Sequence, residues 1–266
     1  MDSLVRSRAE SVTINIGGRV IGLWSDISSF LNFTRYTITQ MVNPPFRRRL
    51  LFQQMEFIGN DSLVIIMISG FFIGAVFGLQ IGMIFRIFGA EGMLGAATIK
   101  AMTRELSPLM GGFLLAGRTG AAMTAEISTM KVNEQVDAME SMAVDPVSYL
   151  VVPRFIAGTI MLPILVGIFT FMGSIGVLVV GIIFFDVDQG VFFDKMISVV
   201  EVRDIFDGMV KAVIFGGVIV LSACKAGLSA SGGAKGVGQA TTRSVVNILL
   251  IILAIDFFVT YIQVNV

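Results

Sequence analysis

The sequence predicts an all-α integral membrane protein, with an N-terminal interfacial amphipathic helix, about five transmembrane helices and one polar helix between the second and the third. Two observations support this fold class. Hydrophobic residues make up 55% of the 266 residues and charged residues only 14%, whereas soluble domains carry roughly 25% charged residues. The apolar residues are also gathered into long runs, which indicates that lipid is the solvent.

Five apolar runs predict the spans: Leu63–Phe85, Leu106–Ala125, Phe155–Phe185, Ile205–Ala223 and Val245–Val264. The first carries no charge and would measure about 35 Å as a helix, enough to cross a hydrocarbon core of about 30 Å. The second is weakened by Arg118. The third is the longest and contains Pro163, so it must tilt, kink or extend beyond the bilayer.

The distribution of basic residues predicts the orientation. Thirteen of the 19 Lys and Arg residues fall on the side of the N-terminus and six on the other side. By the positive-inside rule, the N-terminus is cytoplasmic and the C-terminus lies outside.

Residues 1–60 are predicted to form a cytoplasmic or interfacial helical segment, and residues 61–266 the transmembrane domain. Within 14–42, apolar residues recur at helical spacing, namely Val20, Leu23, Ile27, Leu31, Ile38 and Met41. This pattern favours an amphipathic helix lying on the membrane surface. The alternative is a solvated helix packed on the protein's own core. No long apolar stretch occurs in Met1–Gly22, so a secretory signal peptide is not expected there.

Composition excludes several kinds of chemistry. The chain has no histidine, one cysteine (Cys224) and a formal net charge of zero. A Ser-His-Asp triad, a structural zinc site and a disulfide framework within one chain are therefore excluded. We expect no catalytic residue, no metal, no cofactor and no nucleic-acid partner, and the chain is not expected to be an enzyme.

The first span carries four glycines at every fourth position: Gly70, Gly74, Gly78 and Gly82. Such a stripe predicts a helix-packing face, because small residues let another backbone approach closely. The partner is either another helix of this chain or a second copy.

The most informative polar stretch is Glu126–Pro146. Its apolar residues recur at helical spacing (Val132, Val136, Met139 and Ala143), and the remainder is acidic. We expect a short amphipathic cytoplasmic helix that Pro146 terminates. Its acidic character argues against binding to the negative inner leaflet, which favours a protein partner with a groove.

Two further features remain open from the residues alone, and a third is rejected. Arg104-Glu105, where the outer loop enters the second span, is either a contact to a lipid headgroup or polar cavity, or a simple interfacial anchor. Asp256 lies within the last span, where it forms an ion pair or helix–helix hydrogen bond (with Lys211 or Arg243 as candidates) or relays protons. The Gly112–Thr119 segment resembles a phosphate-binding loop, but it lies in an apolar span with bulky residues and is rejected.

The sequence closely resembles the MlaE/YrbE family, the permeases of ABC-type lipid transporters that act with MCE proteins. The resemblance rests on residues 69–81, 104–128, 134–159 and 236–247. It implies a homodimer in the bacterial inner membrane, cytoplasmic ATPase subunits that bind the ATP, a periplasmic MCE hexamer and, in many members, a STAS-domain protein. The implied substrate is phospholipid, moved between the inner membrane and the MCE protein for outer-membrane lipid homeostasis.

The resemblance also assigns residues. Arg104, Glu105 and Leu106 match the family's outer-leaflet lipid cavity, which shifts the interpretation of Arg104 toward headgroup contact. The family's coupling helix, which docks on the ATPase, is matched by Glu134, Gln135, Asp137, Met139, Glu140, Met142, Asp145 and Pro146.

Two alternative functions are an autonomous secondary transporter, with Asp256 as the coupling carboxylate, and a structural membrane scaffold.

Overall fold

The computed structural model describes residues 24–25, 27–42 and 47–265, and no strand occurs in these ranges. The helices are α1 (residues 27–42), α2 (Arg48–Ile87), α3 (Leu94–Ala101), α4 (Ser107–Leu115), α5 (Ala121–Val132), α6 (Gln135–Ser141), α7 (Val152–Phe185), α8 (Gln189–Val199), α9 (Val202–Leu228) and α10 (Gly233–Asn265). A 3₁₀ turn (Glu91–Met93) precedes α3, and π-helical turns occupy Met102–Leu106, Ala116–Gly120 and Val147–Val151. The first two π turns join α3, α4 and α5 into one helical run, residues 94–132.

The chain divides into two units, Met1–Phe46 and Arg47–Val266. The boundary predicted after residue 60 falls inside α2. In the first unit the structure describes α1, which covers the C-terminal part of the predicted amphipathic helix; residues 14–23 lie outside the described residues. Ile27 and Leu31 of α1 are exposed, and its position on the membrane surface stays a prediction.

Four described helical segments are long and apolar enough to cross a membrane: Arg48–Ile87, Val147–Phe185, Val202–Leu228 and Gly233–Asn265. The protein is therefore a multi-pass membrane protein. The remaining predicted span, Leu106–Ala125, lies in the run 94–132 and is not one of these four, because charged and polar residues interrupt its apolar sequence. The five-span count stays a prediction.

The glycine stripe of α2 lies against α7 of the same chain. All four glycines are buried, and a Cβ added at Gly74 would overlap the backbone carbonyl of Gly173 on α7. A Cβ added at Gly176 would in turn overlap the carbonyl of Phe71. Glycines on both helices thus allow the two backbones to touch, so that packing holds the pair together in lipid.

Helix α9 is the centre of the bundle and α10 is at its edge. The most apolar window of α9 is 61% buried, whereas that of α10 is only 11% buried. Helix α9 packs against α5, α7 and α10. A polar group on α9 therefore requires partners inside the protein, whereas most of α10 is left for lipid or another chain.

Candidate functional site

Two groups of charged side chains in the second unit are candidates for function. The first, which we call the buried charge cluster, consists of Lys100, Arg104, Glu105, Asp204, Asp207, Lys211 and Asp256. The second, called the coupling segment, is residues 126–154 and includes α6. Because Arg104 and Val132 belong to the same helical run, the two regions are about 40 Å apart along that helix, at 1.5 Å per residue.

Lys211 is the centre of the buried charge cluster. Its side chain on α9 is fully buried, and its ammonium group forms ion pairs with Glu105 on the first π turn and with Asp256 on α10, the latter at 3.2 Å. It also donates a hydrogen bond to the Thr260 hydroxyl at 2.7 Å. Three helices are thus joined through one lysine, whose three donors all have protein partners.

The structure identifies the partner of Asp256 among the two candidates. Lys211 Nζ lies 3.2 Å from its Oδ1, so the intramembrane carboxylate is neutralised by a lysine of the neighbouring helix. Truncating Lys211 would leave the Asp256 carboxylate, 17% exposed, without its cation, whereas truncating Asp256 would leave Lys211 paired with Glu105. The interpretation as an ion pair is thereby favoured over that of an isolated proton-relay carboxylate.

Arg104 and Lys100 extend the cluster toward the start of α9. The guanidinium of Arg104 lies 3.7 Å from carboxylate oxygens of both Asp204 and Asp207, and Lys100 Nζ lies 3.2 Å from Asp204. Asp204 also accepts a hydrogen bond from the backbone N–H of Glu201, completing the capping box of α9. The cluster therefore fixes where α9 begins as well as how it packs.

The π turn at Met102–Leu106 sets the direction of these side chains. A π turn places one additional residue in the helix and changes which side chains face a neighbour, and such turns are frequent at functional sites. Gly208 of α9 packs directly on the carbonyl of Thr103, which brings α9 within reach of Glu105. Leu106 ends the turn, is half-buried and adds apolar surface beside the charges.

The buried charge cluster has more carboxylates than cations. Three cations face four carboxylates among its members. Within the described part of the chain, Asp207 Oδ2 and Asp256 Oδ1 are in ion pairs without hydrogen-bond geometry, and buried Gln263 Oε1 makes no hydrogen bond. These three oxygens therefore retain capacity to accept a hydrogen bond from a ligand or water.

The coupling segment presents its helix away from the bundle. Val136 is the one buried residue of α6, and the helix is flanked by two residues with left-handed backbone, Glu134 (φ 59°) and Ala143 (φ 60°). Such a conformation is uncommon for residues other than glycine. Two sharp reversals thus set α6 apart from α5 and α7.

The predicted extent of the polar helix was wrong. Residues 126–132 continue α5, and α6 comprises only Gln135–Ser141. Asp145 accepts hydrogen bonds from the backbone N–H groups of Val147 and Ser148, at 3.3 and 3.0 Å. Asp145-Pro146 therefore begins the next helix instead of ending the previous one, because an aspartate cap followed by proline at the first turn is a helix start signal.

The outer surface of α6 is acidic. Gln135, Asp137 and Glu140 are exposed, Met139 is half-buried, and Met142, just after the helix, is 69% exposed. The Asp137 carboxylate accepts a hydrogen bond from Lys131 and raises the pKa of that lysine above its ordinary value of 10.5.

The base of the coupling segment is held by a buried arginine. Arg154 at the start of α7 is 4% exposed, donates to the Leu150 carbonyl at 2.8 Å and pairs with Glu126 of α5, also at 2.8 Å. This ion pair joins the two helices on either side of α6. The two helices that flank α6 are therefore tied directly to each other.

Sequence reasoning missed several members of the charge cluster, although a signal existed. Asp204, Asp207 and Lys211 are spaced i, i+3 and i+7 on α9, and Asp256, Thr260 and Gln263 are spaced i, i+4 and i+7 on α10. This spacing places each set on one helical face. Polar stripes on two neighbouring apolar helices predict a shared polar interface.

Comparison with known proteins gives the family. The sequence model described as Permease MlaE matches residues 51–262. The chain belongs to the MlaE permease family. A probable ABC transporter permease protein of Rickettsia felis is 37% identical over 94% of this chain and 96% of its own length. A similarly named protein of Synechocystis is 39% identical over 81% of this chain and 82% of its own.

A third relative of this MlaE-family permease has a more specific name. The intermembrane phospholipid transport system permease protein MlaE of Haemophilus influenzae is 42% identical over 80% of this chain and 82% of its own length. The match covers 215 residues of this chain. The family assignment made from residues 69–81, 104–128, 134–159 and 236–247 is confirmed.

Proposed function

We propose that this MlaE-family permease is the transmembrane subunit of an ATP-driven transporter that moves phospholipids between the bacterial inner membrane and a periplasmic MCE protein, serving outer-membrane lipid homeostasis. The observation that carries the proposal is a buried charge cluster and an exposed acidic helix at opposite ends of one helical run, in a chain of this family. The named Haemophilus relative supports phospholipid as the substrate class.

The buried charge cluster is the proposed lipid-handling region. Arg104 supplies positive charge for a headgroup phosphate, its side chain remaining about a quarter exposed. Glu105 fixes the position of Lys211 and so holds the π turn against α9 and α10. Half-buried Leu106 borders the apolar part of the lipid. Charges at membrane depth are costly unless paired, so a paired cluster of this size is a functional-site candidate.

The coupling segment is the proposed contact for a cytoplasmic ATPase. An exposed acidic helix with half-buried Met139 and exposed Met142 at its end fits a groove that is basic at its rim and apolar at its floor. The Glu126–Arg154 ion pair would pass the resulting movement to α5 and α7. ATP would be bound by that partner, since this chain has no acceptable phosphate-binding loop.

The proposed assembly is a homodimer with ATPase subunits, an MCE hexamer and, where present, a STAS-domain protein. The exposed face of α10, which includes Leu250, Phe257 and Phe258, supports contact with a second copy. The N-terminus is proposed to be cytoplasmic, on the same side as α6.

The secondary-transporter alternative is less supported, because Lys211 already neutralises Asp256.

The direct test is reconstitution. The purified chain alone should hydrolyse no ATP, whereas liposomes that contain it together with its ATPase should transfer labelled phospholipid to an added MCE protein only when ATP is supplied. ATP hydrolysis by the isolated chain, or transfer that is independent of ATP, would contradict the proposal.

A further inference from the structure

We propose that a cavity between α7, α8 and α9 binds one acyl chain of a phospholipid, with the phosphate of that lipid held at Lys100. The inference rests on the proposed phospholipid substrate and adds an acyl-chain site beside the buried charge cluster, of which Lys100 is a member. The cavity has a volume of about 420 Å³, within the range of small-molecule binding sites. It lies at the end of the bundle opposite α6.

The cavity has a lid that is fixed at two points. Near one end of α8, the ring of Phe192 is buried against Gly95 and Gly181. At the other end, Lys100 donates a hydrogen bond to the Val199 carbonyl at 3.1 Å. Met196 and Ile197, between these points, line the cavity. The lid is therefore held above the groove between α7 and α9 instead of packing into it.

The lining provides no free hydrogen-bond donor for a polar ligand. Its hydroxyl groups belong to Thr103, Thr170 and Ser174, and each donates to the carbonyl four residues earlier, at 2.8 to 2.9 Å. Their methyl and methylene groups, together with aliphatic neighbours, form the surface that a ligand meets. Such a surface favours a hydrocarbon chain over a polar molecule.

The edge of the cavity is apolar and open toward the membrane. Phe171, Ile197 and Ile205 line it and are 67%, 72% and 46% exposed. In a bundle surrounded by lipid, exposed apolar side chains of this kind face hydrocarbon. An acyl chain can therefore enter from the side without crossing water.

Lys100 provides the positive charge for the lipid phosphate, next to the cavity. The cavity is lined by its neighbour Ile99 and by Val200. Its ammonium has three donors, of which the described contacts use two, to the Val199 carbonyl and the Asp204 carboxylate. The side chain is 34% exposed. One donor thus remains for a phosphate while the acyl chain occupies the cavity.

The experiment is photolabelling of the full chain in phosphatidylglycerol nanodiscs, with a phosphatidylglycerol probe that carries a diazirine on one acyl chain. Mass spectrometry of the labelled peptides should show labelling concentrated on residues 166–174 and 196–197, above the level on exposed α10. Gly167→Phe should abolish that excess, because a Cβ at this position points at the flexible tip of Met209 across the cavity. Ile164→Phe, on an exposed part of the same helix, should retain it.

Ser174→Leu is a second filling variant, in case Gly167→Phe does not fold. Lys100→Gln should reduce labelling by the phospholipid probe but not by a diazirine fatty alcohol, which lacks the phosphate. Uniform labelling of all exposed helices, or full labelling in folded filling variants, would overturn the proposal. The proposal would also be overturned if, in the assembled transporter, labelling of the cavity were lost and crosslinks to a membrane helix of a partner appeared instead.

The photolabelling experiment can contradict the acyl-chain site without contradicting the proposed transport function, and the reverse also holds. Absence of specific labelling, with ATP-driven phospholipid transfer intact, would remove the cavity assignment alone. Specific labelling without ATP-driven transfer would remove the proposed function and leave the acyl-chain site.

Discussion

The buried charge cluster and the coupling segment use charge in opposite ways. In the cluster, Lys211 is fully buried and bound to Glu105 and Asp256 from two other elements. In the coupling segment, Asp137 and Glu140 are exposed and Val136 is the one buried residue of α6. The first arrangement holds helices together, whereas the second leaves charge available to a partner. Substitutions should therefore affect stability in one region and association in the other.

The largest expected effect is that of Lys211→Met. It removes the cation from Asp256, 17% exposed, and from the more exposed Glu105; a broken buried pair costs about 3–5 kcal/mol, which is an upper bound here. The thermal unfolding midpoint in detergent should fall accordingly. The triple variant Lys211→Met, Glu105→Gln, Asp256→Asn should recover much of the loss because no charge is then stranded. An unchanged midpoint for the single variant would show that the ion pairs do not hold the bundle.

A smaller loss of stability is expected when the close packing of α2 on α7 is disturbed. Gly74→Ala forces a Cβ into the Gly173 backbone of α7, and overpacking of this kind costs about 1–3 kcal/mol. The matched control is Gly117→Ala, where a Cβ would meet nothing within 4 Å. Thermal unfolding should separate the two variants; equal midpoints would contradict close α2–α7 packing.

Charge reversal on α6 should have little effect on stability and a large effect on assembly. Asp137→Lys replaces a 53% exposed carboxylate, and exposed ion pairs contribute only about 0–1 kcal/mol. The variant should remain folded in the membrane but lose co-purification with the ATPase. Asp194→Lys reverses an exposed charge on α8 and should retain the ATPase. Equal recovery of ATPase with both variants would remove the coupling assignment.

The smallest effect concerns pH. Asp137 raises the pKa of Lys131 above 10.5, so the pair contributes stability fully below the ordinary lysine pKa, and that contribution is lost as pH rises through the raised value. The difference in unfolding midpoint between wild type and Lys131→Met should therefore be constant from neutral pH to about pH 10 and shrink above it. A difference that grew in alkaline solution would contradict this ion pair.

The sequence predicts those parts of the fold that depend on periodicity. Apolar runs locate four helices that the structure describes, and the stripe Gly70 to Gly82 marks the face of α2 that touches α7. Helix ends were less predictable, since Asp145-Pro146 starts a helix that was expected to end there. A proline is compatible with either side of a boundary, and only the backbone contacts of Asp145 distinguish them.

The candidate site was predictable residue by residue but not as a cluster. Arg104, Glu105 and Asp256 stand out because charge is expensive in an apolar segment. Their partners Lys211 and Asp204 belong to a helix more than ninety residues after the π turn. Sequence spacing gives the face of each helix but not which helices are neighbours, and π turns leave no pattern that sequence periodicity reveals.

The division of roles between the two regions is tested most directly by Glu105→Gln in the reconstituted complex, measured for ATPase co-purification and for ATP-driven phospholipid transfer. The substitution keeps side-chain size and removes the charge that pairs with Lys211. We expect wild-type recovery of the ATPase and strongly reduced transfer. Transfer at the wild-type rate, or loss of the ATPase, would contradict a lipid-handling role for the buried charge cluster.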